Sequence, residues 1–148
     1  MCSKNHSIMG QNMAGGITLS TDLHNDTTLF TVRDLCTVED VIRAIETFCA
    51  SGKVTQYILW DFREGDIDPI SMEGIKKIVA VIKKVAHLRK NGRTAMVFSD
   101  DRAFSMGRIF ANDSDLGSVD ISYGAFRNFD KAVDWLHEDD ILLKQVLK

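Results

Sequence analysis

The sequence predicts an α/β fold: a single domain with a mixed β-sheet, in which an N-terminal hairpin leads into parallel strands, and about four helices. Three observations carry that prediction. Two β-branched, alternating segments, Ile17 to Leu23 and Thr28 to Arg33, flank His24-Asn25-Asp26, a turn whose Asn-Asp pair tolerates left-handed backbone. The run Tyr57-Ile58-Leu59-Trp60-Asp61-Phe62 is apolar at nearly every position, as a central strand covered on both faces must be. From there helix and strand patterns alternate, the order that parallel strands joined by helical crossovers produce.

The elements follow in turn. Residues 1–16 mix Met, Asn, Ser and Gly without periodicity and are expected to form a flexible arm, the α/β domain running over 17–148. Thr37, followed by Glu39 and Asp40, is an N-cap with acid in the first turn. Val41, Ile42, Ile45, Phe48 and Cys49 then recur at helical spacing until Gly52. After Phe62 an acidic loop is expected to reach Asp68-Pro69, read as the cap and first residue of a helix of about five to six turns that Asn91-Gly92 stops. Its apolar residues Ile75, Ile78, Val79, Val81, Ile82, Val85, Ala86 and Leu88 cover roughly half the circumference, more than the ~100° needed to dock on a sheet. Such an arc requires deep burial or a partner. The strand Thr94 to Phe98, the helix Ala103 to Phe110, the strand Ile121 to Phe126 and the helix Phe129 to Leu136 come next. The tail from Ile141 has apolar pairs for about two turns, too few to hold without docking.

A chain of 148 residues fits one core, and 45% apolar with 26% charged residues is a globular balance. Apolar runs fall far short of a transmembrane segment. A net charge of −3 provides no global attraction to nucleic acid or anionic lipid. The cysteines Cys2, Cys36 and Cys49 are odd in number, with no Cys-x-x-Cys pair and no secretory pattern ahead of them, so a cytoplasmic location is expected.

The layout resembles the STAS superfamily, specifically its SpoIIAA-like branch, related to the CRAL-TRIO lipid-binding fold. The residues that carry the resemblance are the opening hairpin, the Tyr57 to Phe62 strand with its long helix, Arg93-Thr94-Ala95-Met96-Val97-Phe98, the Ala103 to Phe110 helix, and the ending Phe126-Arg127-Asn128-Phe129-Asp130-Lys131-Ala132-Val133-Asp134-Trp135-Leu136. It spans about residues 17–136. In anti-anti-sigma members, the resemblance implies, an Asp-Ser-Ser-Gly turn opens the helix after the central strand and its second Ser is the phosphorylation switch. Here that turn reads Ser71-Met72-Glu73-Gly74, so Glu73 stands at the phospho-acceptor position and the switch motif is not preserved. Ser71, Glu73 and Gly74 are candidate regulatory or partner-contact residues. Plain capping by Ser71 and dipole stabilisation by Glu73 are the favoured explanation of the first two.

Other constellations are weaker. Asp61, Glu64, Asp66 and Asp68 lack the spacing of a calcium loop. Asp100 and Asp101 follow a strand at its carboxyl end, where α/β folds bind ligands, and join the candidate contact set, although a helix cap accounts for them too. Lys76, Lys83, Lys84, His87 and Lys90 form one stripe, read as a solvated face. His6, His24, His87 and His137 have no zinc spacing, and Ser99 and Ser105 lie in no nucleophile elbow, so no metal, cofactor or catalytic residue is assigned. Phe104, Phe110, Tyr123 and Phe126 are the candidate lining of an apolar pocket between the Phe104 helix and the sheet, though the short apolar spans favour a filled space over a roomy one.

The function expected is a non-enzymatic regulatory or protein-interaction module with an unidentified protein partner. The alternative is a small-molecule or lipid-binding domain with an aromatic-lined pocket. An enzyme built on Asp61, Asp100 or Asp101 with Arg102 or Arg108 is the least supported class. The wide helical arc and apolar tail suggest a homodimer.

Overall fold

The computed structural model describes residues 8–12 and 16–138. Six strands form one sheet in chain order: β1 (Ile8–Asn12), β2 (Ile17–Asp22), β3 (Thr27–Leu35), β4 (Tyr57–Asp66), β5 (Gly92–Val97) and β6 (Ile121–Phe126). The first three run antiparallel to their neighbours, and β3 to β6 run parallel. Each parallel strand is added on the same side of the last, so right-handed crossovers lay their helices on one face. Those helices are α1 (Val38–Ala50), α2 (Met72–Val85) and α3 (Asp101–Ala111). The remaining helix, α4 (Phe129–Leu136), covers the opposite face.

The sheet has a main core beneath α1 to α3 and a smaller one beneath α4. Strand alternation sends Ile58 and Trp60 of β4 into the first and Leu59 into the second, where Ala95, Val97, Ala132 and Leu136 meet it. With β3 and β5 on either side, β4 is the buried interior strand its composition predicts.

Three expectations are corrected. Ile8–Asn12 lies within the segment read as an arm, yet it pairs with β2, Ile8 opposite Asp22 and Asn12 opposite Thr18. A ladder is made by backbone groups, which any residue but proline supplies, so no alternating pattern had to announce it. The acidic loop is largely strand: β4 continues to Asp66, with a register shift opposite Thr31 to Arg33 that absorbs one extra residue. The long helix begins at Met72 under a Ser71 cap, not at Asp68-Pro69. The Ile70 amide donates to the Ile67 carbonyl, so Pro69 sits in a turn ahead of the helix.

The α-helical part of that element ends at Val85, and a 3-10 turn, Ala86–Arg89, carries the chain to Asn91, which takes the left-handed backbone that Asn tolerates (φ 65°). On α1, the Thr37 hydroxyl accepts from the Asp40 amide while the Asp40 carboxylate accepts from the Thr37 amide, a closed capping box. The tail from Ile141 lies outside the described residues. Among the described residues no helix is long and apolar enough to cross a membrane.

Candidate functional site

A cavity of about 110 Å³ lies between the sheet and the α1–α3 layer. Its floor follows from period-two alternation: Ile58, Thr94 and Tyr123 stand side by side across β4, β5 and β6, with Trp60 and Met96 as the next row. Phe30 stacks on Trp60 at 4.2 Å, Trp60 lies 5.6 Å from Phe62, and Phe62 lies 5.2 Å from Phe98, so four nearly parallel rings run across the floor. Ile78 and Ile82 of α2 form the roof, Ile45 and Phe48 of α1 one wall, and Met106 and Phe110 of α3 the other. Gly107 is part of that wall because the Phe98 ring occupies the space a side chain would need.

One end of the cavity is polar. Arg89, only 6% exposed, donates from Nε to the Thr55 carbonyl (2.9 Å), from Nη1 to Thr94 Oγ1 (3.0 Å), and from Nη2 to the carbonyls of Gln56 (2.7 Å) and Arg93 (2.9 Å). Burial pulls its pKa down to about 10, so it stays cationic at neutral pH. No carboxylate among the described residues forms an ion pair with it. Burial pushes the neighbouring Tyr123 hydroxyl up to about 12 against the pull of Arg89, which keeps the phenol protonated. Cys49 also lines the cavity, and burial raises its thiol, the opposite of what a reactive nucleophile requires.

Of the four aromatic residues expected to line a pocket, Phe110 and Tyr123 do so, edge to face at 5.6 Å. Phe104 and Phe126 do not. Phe104 lies under the guanidinium groups of Arg108 and Arg127, each 5.9 Å from its ring. Phe126 is an odd number of residues from Tyr123 in the same strand, hence on the α4 face, where it packs against Trp135 at 5.5 Å. The expectation of a filled space is corrected as well, since the helices stand off the floor of rings by enough to leave the cavity.

The polar candidates sit at the carboxyl edge of the sheet, and all but Glu73 have a structural partner. Ser71 accepts from the Gly74 amide (3.1 Å), Glu73 is exposed in the first turn of α2, and Gly74 makes room for Val38 of α1. Asp100 caps α3 through the Ala103 amide (2.8 Å), and Asp101 pairs with Arg127. Asp61 is held by Arg63 in a two-pronged contact (2.9 and 2.8 Å), while Arg102 approaches Asp68 at 3.8 Å. The carboxylates therefore do not converge on a common point. Among the described residues no group of three or more His, Cys, Asp or Glu is placed to hold a metal ion.

Arg89 escaped the sequence reading, which took the surrounding cations for a solvated stripe. A signal existed: Ile75, Ile78, Ile82, Val85 and Arg89 continue one three-four spacing, so Arg89 falls on the buried face and not with Lys83, Lys84 and Lys90.

No protein-family model and no curated protein matches the chain. Among the solved structures similar to it are the following two. One is an uncharacterised protein of the DUF3478 family with a SpoIIAA-like fold from Shewanella loihica PV-4, 16% identical, with a TM-score of 0.49 over 87% of this chain and 91% of that one. The other is the anti-sigma factor antagonist SpoIIAA in its unphosphorylated form, 13% identical, with a TM-score of 0.45 over 88% of this chain and 97% of that one. The chain is similar to both in its SpoIIAA-like arrangement of elements, a likeness of fold and of nothing finer.

Proposed function

We propose that the protein is a non-enzymatic binding module whose ligand is a small, largely apolar molecule held between the sheet and the α1–α3 layer. The observation that supports this is the cavity: about 110 Å³, walled by aromatic and aliphatic side chains, with its polar groups gathered at one end. Titration of isoleucine-methyl-labelled protein with 1-octanol tests the reading. Saturable shifts at Ile58, Ile78 and Ile82, with contacts from the alcohol chain to those methyls, are expected. Absence of any saturable change at them overturns it.

A second reading, a regulatory or protein-interaction module, is supported by Leu35 and Met72, 57% and 52% exposed at the same carboxyl edge of the sheet as the Ser71 cap. Either a protein partner or a second copy of this chain would cover them. Cys36 and Cys49 are free thiols, which suits a reducing compartment such as the cytoplasm. Sedimentation of the wild type against Leu35→Ser with Met72→Ser checks the homodimer: the wild type is expected as a dimer and the double variant as a monomer. A wild type that stays monomeric at high concentration overturns self-association.

A further inference from the structure

Resting on the cavity reading above, we propose that the ligand is a monocarboxylate: its carboxylate is received by Arg89 and Tyr123, and its apolar body lies along Trp60 and Met96 toward Phe62.

Three features of the molecule lead there. Arg89 is the one charged residue lining a largely apolar cavity, and a buried guanidinium with no carboxylate in direct contact is costly unless something compensates it. Among the described residues its hydrogen bonds all go to neutral oxygens, and the Asp26 carboxylate acts on it only at longer range. Four of its five N–H groups are engaged in this way, and the fifth, on Nη1, has no acceptor among the described residues. A carboxylate supplies both the missing charge and the missing acceptor.

The second feature is placement. Arg89, Thr94 and Tyr123 are clustered at the amino-terminal end of the parallel strands, since Thr94 and Tyr123 are register partners and Arg89 bonds to Thr94. The protonated phenol of Tyr123, hydrogen-bonded to Thr94, supplies a second donor to an anion by exchanging that partner. From that end the floor continues through Trp60 and Met96 to Phe62 and Phe98 without another charge, so the site has one anionic subsite and one apolar subsite in line.

The third feature is what the lining excludes. A cationic ligand would face Arg89 with no carboxylate to receive it, and a dianion would bring twice the charge that one guanidinium balances. A neutral alcohol fits the apolar part but leaves the guanidinium uncompensated.

The test compares octanoate with 1-octanol on the intact wild-type protein by calorimetry at neutral pH. Octanoate is expected to bind at least tenfold tighter and to move the side-chain nitrogen resonances of Arg89. Equal affinity, or tighter binding of the alcohol, overturns the carboxylate assignment while leaving the cavity reading in place; failure of both ligands to bind overturns the two together. Orientation is read from intermolecular contacts, with the C2 protons of octanoate expected against Thr94 and Tyr123 and its terminal methyl against Phe62, and the reverse orientation overturns the proposal. Tyr123→Phe keeps Arg89 in place: octanoate should weaken by about three- to tenfold with octanol unchanged, whereas equal loss for both, or none, removes Tyr123 from the subsite.

Discussion

Arg89 Nη1 lies 3.0 Å from Thr94 Oγ1, a hydrogen bond that fastens the 3-10 turn after α2 to the third residue of β5. The same guanidinium reaches the carbonyls of Thr55 and Gln56 ahead of β4 and of Arg93 within β5, so one side chain gathers the starts of two central strands. It thus positions the strand ends and gives the cavity its charge.

Removing the acceptor isolates the first of these roles. Thr94→Val leaves the shape of the floor nearly unchanged and takes away one partner of a buried charge. A loss of about 1.5–3 kcal/mol is expected, the range for a hydrogen bond to a charged group, read from the urea midpoint at constant slope.

Gly107 tests how closely α3 packs on the floor of rings. A Cβ at that position meets Phe98, which the stacked Phe62 restrains, so the ring has little freedom to move away. Gly107→Ala should cost about 1–3 kcal/mol by overpacking. Adding Phe98→Leu should recover part of that loss, because it removes the atoms in conflict, and a double-mutant cycle on thermal or urea unfolding reads the coupling.

Asp61 reports on electrostatics midway along β4. Burial pushes its carboxyl up, but the hydrogen bonds and charge of Arg63 outweigh burial and hold it below its ordinary value near 3.8. A carboxyl with a depressed folded pKa contributes stability that is present above the unfolded pKa and lost as pH falls through the folded one. Arg63→Met removes the side-chain hydrogen bonds and charge but keeps the backbone amide at 63, so carbon-detected titration should find the Asp61 carboxyl raised relative to the wild type, and the acid limb of the stability curve should move to higher pH.

Cys36 carries the alkaline counterpart. Burial, with Asp40 nearby, pushes its thiol up to about 12 from 9.0. The folded form binds the proton more tightly, so the Cys36 contribution to stability is constant below pH 9 and declines between 9 and 12 as the unfolded chain ionises first. Cys36→Ala should flatten that decline by one proton's worth of slope. In the native wild type, Cys36 should resist thiol reagents at neutral pH until the protein is unfolded.

Much of the fold was legible because its determinants are local and periodic. Thr37 and Asp100 both cap the helices that follow them, as side-chain acceptors ahead of an apolar period do, and Tyr57 to Phe62 lies inside the sheet because only a doubly covered strand tolerates that composition. The Ile8–Asn12 strand was not legible, since edge pairing recruits backbone and leaves no side-chain pattern to read. The site was half legible. Tyr123 and Phe110 followed from aromatic content, and Phe126 was misplaced by ignoring strand parity. Arg89 was hidden because a cation among lysines looks solvated until helical phase is applied. The cavity has no sequence signature, as it depends on how far three helices stand from the sheet.

The central claim is that a small apolar molecule occupies the space beneath α1 to α3. An anomalous-difference map from crystals grown with ω-bromo-octanoate examines it most directly. A bromine peak is expected inside the cavity beside Phe62 and Phe98, with the carboxylate at Arg89. A cavity empty of bromine, or a peak confined to the protein surface, contradicts it.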